Sequence, residues 1–280
     1  MNPLHFQQIL ASFLVGGLFV ALQSFVAERV SARTAGVVLT IPSTIGISFF
    51  FIAWTLSPGE VPTIAPTSMM GLVSSLIFTL TYVAIAELCG GRRFPAIALC
   101  PIMGLGLWCV SAHYWATKHI VNLPFALLTL STAATAAHLI LNRTRHVRIN
   151  AVKMRYSTGQ KIARAIFSGA VIACSVWLAK AFGPFWGGVL AAFPASNLSA
   201  LLILHWYHDS RFVVTICRAM PLGYSSQIVF ILTSSLSFPT FGSVGGCAVA
   251  YAVTGTFILG LLQLLKLHHG IITTRRNRAL

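Results

Sequence analysis

The sequence predicts an all-α, polytopic membrane protein, and three observations support that fold class. Of the 280 residues, 56% are hydrophobic and only 8% are charged, whereas soluble domains carry about 25% charged residues. The mean hydropathy is +0.83. The hydrophobic residues form runs of about 20, the length at which a helix crosses the hydrocarbon core of a bilayer. This composition excludes a soluble globular domain, a disordered chain and a disulfide-stapled scaffold.

Nine hydrophobic runs are predicted to span the bilayer. They cover residues 8–29, 35–56, 67–88, 95–117, 120–141, 161–182, 186–206, 212–236 and 241–266. Only Lys118 and His119 separate the fourth run from the fifth. Because the two runs together are far too long for one span, we expect a tight hairpin between them.

The basic residues indicate how these spans are oriented. The chain has 19 Lys and Arg against 4 Asp and Glu, a net charge of +15. With nine spans, only Lys118 and Lys180 fall on the same side as the N-terminus. Since cytoplasmic loops are enriched in Lys and Arg, the N-terminus is predicted outside and the C-terminus in the cytoplasm, in the inner (plasma) membrane. A positive charge distributed in this way does not indicate nucleic acid, which is excluded as a partner.

The chain also contains an internal repeat at a constant offset of 152 residues. Residues 17–80 and 169–232 share 14 identities over 64 positions without a gap. The identities that composition explains least are Gly17 with Gly169, Pro42 with Pro194, and Trp54 with Trp206. Spans 1–4 then correspond to spans 6–9, and an odd number of spans separates each pair. The two halves are therefore predicted to point in opposite directions across the membrane.

Inverted repeats of this kind are typical of secondary transporters, although they also occur in channels and membrane enzymes. They divide the chain into three predicted parts. Residues 1–117 form the first four-helix repeat, and residues 118–160 form a linker helix and a basic cytoplasmic loop. Residues 161–280 form the second four-helix repeat with a basic cytoplasmic tail.

Each repeat has a proline inside its second span. Proline removes one backbone hydrogen bond from a helix, and in lipid the freed carbonyl needs another partner. If the helix breaks there, its restarted half presents a positive N-terminal end that favours anions; a simple kink is the alternative. The candidate substrate-binding residues are these prolines, the polar side chains after them and two polar residues of span 8: Pro42, Ser43, Thr44, Pro194, Ser196, Asn197, Tyr224 and Gln227.

Charged residues lie near span ends rather than at span centres. Ionisable side chains within membrane segments are functional candidates, and those considered for coupling or charge steering are Glu28, Lys180, Arg218 and His205. Interfacial snorkelling explains Lys180 and Arg218 equally well.

No motif in the chain indicates catalysis. His205, His208 and Asp209 are close enough in sequence to suggest a metal site, but amphipathic rings at a membrane boundary are the favoured interpretation. GxSxG, HExxH, P-loop and paired-carboxylate motifs do not occur. We therefore predict no catalytic residue, no metal and no cofactor, and we expect that the protein is not an enzyme.

One sequence stretch carries a family resemblance. Trp186-Gly-Gly-Val-Leu-Ala-Ala-Phe-Pro-Ala-Ser-Asn-Leu-Ser-Ala-Leu is followed by Trp206-Tyr-His-Asp. On these residues, the stretch from Ser168 to Ser235 resembles the GlpM-like family of small four-helix inner-membrane proteins. In that family a Gly–small–Pro segment opens the second helix and an aromatic–acidic end closes it.

A more distant second copy of that pattern covers residues 16–80. It keeps Pro42 and Trp54 but has Ser57 at the position that Asp209 occupies in the stretch 168–235. The whole arrangement is also similar to the drug/metabolite transporter superfamily, although those proteins usually have ten helices rather than nine. The resemblance implies a transporter fold and does not imply a substrate.

The sequence therefore predicts a secondary transporter that moves a small polar or anionic solute by alternating access between two inverted repeats. The alternative is a non-transporting inner-membrane subunit that supports envelope polysaccharide or assembly machinery. Its basic loop 142–164 would then contact a partner or anionic lipids. The expected partners are the bilayer and a small-molecule solute, and a homodimer is left open.

Overall fold

The computed structural model describes residues 3–30, 34, 37–38, 41–90, 93–117, 122–143, 157–207 and 210–277. Over these ranges the regular secondary structure is entirely helical. The helices are α1 (Pro3–Ala27), α2 (Ser43–Thr55), α3 (Val61–Leu88), α4 (Arg93–Thr117), α5 (Leu123–Arg143), α6 (Thr158–Phe182), α7 (Pro184–Ala191) and α8 (Ala195–Tyr207). A short 3-10 turn at Pro58–Glu60 precedes α3.

The last helical stretch, Ser210–Asn277, is two helices rather than one. Gly242 interrupts it with φ 71° and ψ −176°, a left-handed φ that glycine adopts far more readily than other residues. We call the two parts α9 (210–241) and α10 (243–277).

Seven helical segments among the described residues are long and apolar enough to cross a membrane, judged by length and composition. They are Phe6–Ala27, Pro58–Leu88, Pro95–Thr117, Leu123–Arg143, Thr158–Phe182, Pro184–Tyr207 and Phe212–Leu264. The last has 53 residues and covers predicted span 8 and all but the last two residues of span 9, whereas span 2 corresponds to the shorter apolar helix Ser43–Thr55. The expected all-helical architecture with several membrane-length helices is confirmed. The count of nine spans and the three-part division stay predictions.

The helices differ in how much of their surface other helices cover. In the most apolar window of Pro58–Leu88 and of Pro184–Tyr207, 72% and 78% of the residues are buried, against 17% in Leu123–Arg143. A helix that is apolar all round faces either protein or lipid. The structure therefore places α3 and the α7–α8 pair at the centre of the bundle and α5 at its edge.

Two glycines bring α1 and α6 into close contact. A Cβ atom on Gly17 would lie 2.8 Å from the Ala165 carbonyl oxygen, and one on Gly169 would lie 2.5 Å from the Phe13 carbonyl oxygen. Small residues allow such close approach between membrane helices. Because the residue number rises along one helix as it falls along the other, α1 and α6 run antiparallel.

Parts of three predictions fall outside the described residues. These parts are the hairpin residues Lys118 and His119, most of the basic loop (144–156), and His208 with Asp209 of the metal alternative.

Candidate binding cavity between two interrupted helices

The helix through predicted span 7 is interrupted at its centre. α7 ends at Ala191, and α8 begins at Ala195, directly after Pro194. The Ala192 carbonyl accepts a hydrogen bond from the Ser75 hydroxyl of α3 at 2.7 Å. Because an unsatisfied carbonyl in lipid costs several kcal/mol, this bond stabilises the break. The kink interpretation is wrong for this span, since the two halves are separate helices.

A comparable start lies in the first half of the chain. α2 begins at Ser43 after Pro42, whose φ is −68° and ψ 65°. The Pro42 carbonyl accepts a hydrogen bond from the Tyr251 hydroxyl of α10 at 2.9 Å, and the Val38 carbonyl accepts one from Gln23 Nε2 of α1 at 2.7 Å. At both places, therefore, side chains from neighbouring helices bind carbonyls beside the interruption. The Pro42 and Val38 carbonyls also accept backbone hydrogen bonds, from Gly46 N and Ile41 N.

The N-terminal ends of α2 and α8 meet. The Ser43 hydroxyl donates to Gln23 Oε1 at 3.1 Å and lies 3.4 Å from the Ser196 hydroxyl. Each helix start carries roughly half a positive charge and unsatisfied N–H groups. Neither helix has an acidic residue in its first turn to offset that charge. The junction is therefore an electropositive place inside the bundle.

A cavity opens at this junction. The space between its walls amounts to about 290 Å³, a figure that includes its open mouth. Every predicted binding residue lines it except Pro42, which is buried between the lining residues Ile41 and Ser43. None of the lining residues is charged. Residues about 150 positions apart in sequence thus share one small polar cavity.

Asn197 holds a fixed position in this lining. It is 5% exposed, and its Nδ2 donates to the Tyr224 hydroxyl at 3.4 Å. The Tyr224 hydroxyl also interacts with Thr79, whose own hydroxyl donates to the Ser75 carbonyl at 2.9 Å. Asn197 Oδ1 is buried and has no hydrogen-bond partner among the described residues.

Sequence reasoning missed one charged residue beside the cavity. Arg164 in α6 is only 1% exposed, and its Nη2 donates to the Ser196 carbonyl at 3.4 Å. Arg164 was predicted to belong to the basic cytoplasmic loop 142–164, and that prediction is wrong, because its side chain is buried in the bundle. The spacing of polar residues along the helix could have indicated that Arg164 faces the interior. Ser168 and Ser175 follow Arg164 by four and eleven positions, which places all three on one face of the helix. Both serines are also fully buried.

Ser75 was also missed, although it lines the cavity and satisfies the Ala192 carbonyl. It additionally accepts a hydrogen bond from Trp108 Nε1 at 3.1 Å. Nothing local in the sequence distinguishes it from Ser74 beside it, because only the tertiary contact does so.

The residues considered for coupling do not line the cavity. Glu28 forms an ion pair with Lys161 Nζ at 2.8 Å, between the ends of α1 and α6. Lys180 is exposed. Arg218 is half-buried and interacts electrostatically with Glu87.

His205 is fully buried and hydrogen-bonded at both ring nitrogens. Nδ1 lies 3.1 Å from the Tyr82 hydroxyl, and Nε2 lies 3.0 Å from the Ser210 hydroxyl. Within the part of the chain that the structure describes, no group of three or more His, Cys, Asp or Glu could hold a metal ion.

No family model, no curated protein and no solved structure matches this chain. The resemblance to the GlpM-like family and to the drug/metabolite transporters stays a prediction.

Proposed function

We propose that this protein is a membrane transporter that binds a small anionic solute where the N-terminal ends of α2 and α8 meet. The observation that carries the proposal is the 3.4 Å approach of the Ser43 and Ser196 hydroxyls. It places two positive helix ends against one cavity whose lining has no charged residue. Discontinuous helices whose N-terminal ends face an anionic group are a recurring device of secondary transporters.

The contact between α1 and α6 supports an origin by inverted repeat. Gly17 meets Ala165, and Gly169 meets Phe13. The offset of 152 residues converts the first pair into the second, because it takes Gly17 to Gly169 and Phe13 to Ala165. Two antiparallel halves related by a two-fold axis would make each of these two contacts the symmetry equivalent of the other.

Alternating access then assigns a role to each part of the site. The two helix starts hold the solute, and one half of the bundle rocks against the other around it. The α1–α6 contact is the natural pivot, because its two glycines allow close approach without long interlocking side chains.

The test uses the full-length protein reconstituted in liposomes. Chloride, phosphate, acetate and 2-hydroxypropanoate are first screened for thermal stabilisation, which grows with ligand concentration relative to Kd. Uptake of each stabilising anion is then measured. We expect Asn197→Leu to abolish stabilisation and uptake. Asn142→Leu makes the same chemical change at an exposed position of α5 and should leave both unchanged.

Two results would contradict the proposal. The first is that none of the four anions stabilises well-folded protein. The second is that Asn197→Leu transports as well as Asn142→Leu. The non-transporting alternative instead predicts no uptake and a strong loss of partner or lipid binding when Arg143, Arg145 and Arg148 are neutralised.

A further inference from the structure

We infer that an anionic phospholipid binds where α1 ends against α6, with its phosphate held by Arg29 and Lys161 beside the ring of Phe25. This site lies apart from the cavity, and the inference does not depend on the proposed function. It depends on two cations that converge on one aromatic ring, with a single carboxylate beside them, at the end of two membrane-length helices.

The two cations meet at the ring of Phe25, which lies in the last turn of α1. The Arg29 Cζ atom lies 3.2 Å from the centre of that ring, and the Lys161 Nζ atom of α6 lies 5.9 Å from it. The separation of the two cations is therefore at most the sum of these distances. The face of an aromatic ring attracts positive charge, so Phe25 helps to hold both cations in one place.

The guanidinium group of Arg29 has a defined position but no acidic partner among the described residues. Its Nη1 donates to the Phe25 carbonyl at 3.0 Å. Since an arginine side chain has five N–H donors in a planar fork, most of them remain for another acceptor. Arg29 is exposed, so a group from outside the bundle can reach these donors. The geometry of the fork matches two oxygens of a phosphate group.

The charges around the ring do not cancel. Lys161 Nζ forms an ion pair with Glu28 Oε2 at 2.8 Å, so Glu28 offsets one of the two cations and leaves one positive charge. Two cations held close together repel each other, and a bound phosphodiester, which carries one negative charge, would offset the excess. A phosphatidylcholine headgroup brings its own cation to the same place and would gain less.

The position of the cations in the fold favours a lipid over a soluble phosphate. Arg29 follows the membrane-length segment Phe6–Ala27 by two residues, and Lys161 is the fourth residue of the segment Thr158–Phe182. Because α1 and α6 run antiparallel, both cations lie at the same end of the pair, at the level where lipid headgroups are expected. Further along, the two helices expose apolar side chains on which an acyl chain can lie: Leu22, Ile162 and Ile166.

The experiment measures binding to the full-length protein in detergent by native mass spectrometry. Dioleoyl phosphatidylglycerol, dioleoyl phosphatidylcholine and soluble sn-glycerol 3-phosphate are titrated one at a time. We expect the first phosphatidylglycerol to bind about fivefold or more tightly than phosphatidylcholine, because a basic side chain near anionic lipid contributes about that factor. Glycerol 3-phosphate, which has no acyl chain, should bind more weakly than either lipid.

Two variants with opposite changes of charge test the location of the site. Arg29→Gln removes the unpaired cation and should lower the affinity for phosphatidylglycerol about fivefold. Glu28→Gln removes the carboxylate and should raise that affinity, because both cations then face the phosphate. If the ion pair served only to hold α1 against α6, its loss would not make lipid bind more tightly.

Two control variants make comparable changes of charge elsewhere. Lys180 is exposed near the opposite end of α6 from Lys161, and Glu60 lies in the short turn before α3. Lys180→Gln and Glu60→Gln should both leave the affinity for phosphatidylglycerol unchanged.

Three results would overturn the inference. The first is equal affinity of the unmodified protein for phosphatidylglycerol and phosphatidylcholine, and the second is an affinity for glycerol 3-phosphate as high as that for phosphatidylglycerol. The third is equal affinity for phosphatidylglycerol in Arg29→Gln and Lys180→Gln. The first two comparisons use the unmodified protein, so they decide the inference even if a variant does not fold. Because none of these measurements involves the cavity, failure here leaves the proposed function standing.

Discussion

Replacing Ser75 by alanine should destabilise the protein much more than the same change at Ser74. Both serines are buried in α3. The Ser74 hydroxyl donates to the Met70 carbonyl of its own helix at 3.3 Å. The Ser75 hydroxyl also lies 3.1 Å from the Gly71 carbonyl of its own helix, but in addition it binds two groups from other helices, the Ala192 carbonyl and Trp108 Nε1. The pair is therefore a matched comparison in which only the hydrogen-bond partners differ.

The magnitude follows from the groups that the substitution leaves unsatisfied. Ser75→Ala strands one buried carbonyl and one buried indole N–H, and each stranded group costs about 1–3 kcal/mol. Interhelical hydrogen bonds in membranes average only about 0.6 kcal/mol, because the unfolded state in the membrane also finds partners. The Ala192 carbonyl lies at a helix break, where no helical N–H replaces the lost donor. We therefore expect a loss of about 2 kcal/mol for Ser75→Ala, near the upper end for such membrane contacts.

The Met70 carbonyl of the control keeps its helical bond, so Ser74→Ala should cost less than about 1 kcal/mol. Reversible unfolding in mixed detergent–SDS micelles, followed by helical circular dichroism, measures both free energies. Trp108 fluorescence should also change in Ser75→Ala and not in Ser74→Ala. If the two variants unfold within about 0.5 kcal/mol of each other, the assignment of Ser75 to the helix break is wrong.

Two further predictions concern the α1–α6 contact. Gly169→Ala should lower the unfolding midpoint, because the added methyl would lie 2.5 Å from the Phe13 carbonyl oxygen. The control Gly106→Ala adds a methyl that meets nothing within 4 Å, so it should be neutral or slightly stabilising in the same unfolding assay. Equal midpoints for the two variants would contradict the close approach of α1 and α6. Glu28→Gln should cost less than about 1 kcal/mol, because its ion pair with Lys161 is partly exposed. The double variant Glu28→Lys with Lys161→Glu keeps an ion pair at this place with its charges exchanged. It should take up solute as well as the unmodified protein if Glu28 serves only in the pair. Loss of uptake in the double variant would instead indicate a coupling role for Glu28.

Much of the candidate site could be predicted because the rules that locate it are local. A proline in an apolar run indicates where a helix can break or kink, and the polar residues next to it indicate where a solute could bind. Proline alone does not decide for a break, because Pro66 and Pro101 lie inside continuous helices. The repeat then pairs Pro42 with Pro194 across the chain. These arguments need no knowledge of how the helices pack, and all but one of the predicted binding residues line the cavity.

The partners of the interrupted backbone could not be predicted in the same way. Ser75 lies 117 positions from Ala192, and Tyr251 lies 209 positions from Pro42. Many serines and tyrosines in apolar runs are equivalent by sequence. Only the packing of α3 and α10 against the breaks selects these two.

The sequence by itself determined that the chain is a bundle of apolar helices, because that property depends on composition. It indicated Pro42 and Pro194 as places where a helix either breaks or kinks. It could not decide between the two, because proline also lies inside continuous helices of this chain, as at Pro66 and Pro101. The tertiary structure alone decided that the two interruptions face each other, since Ser43 and Ser196 are 153 positions apart. It also decided that Arg164 is buried beside them rather than exposed in a basic loop. For a cationic side chain close to the end of a span, the packing of the neighbouring helices decides whether it faces the membrane surface or the bundle interior. A small rotation of its helix is enough to change one into the other.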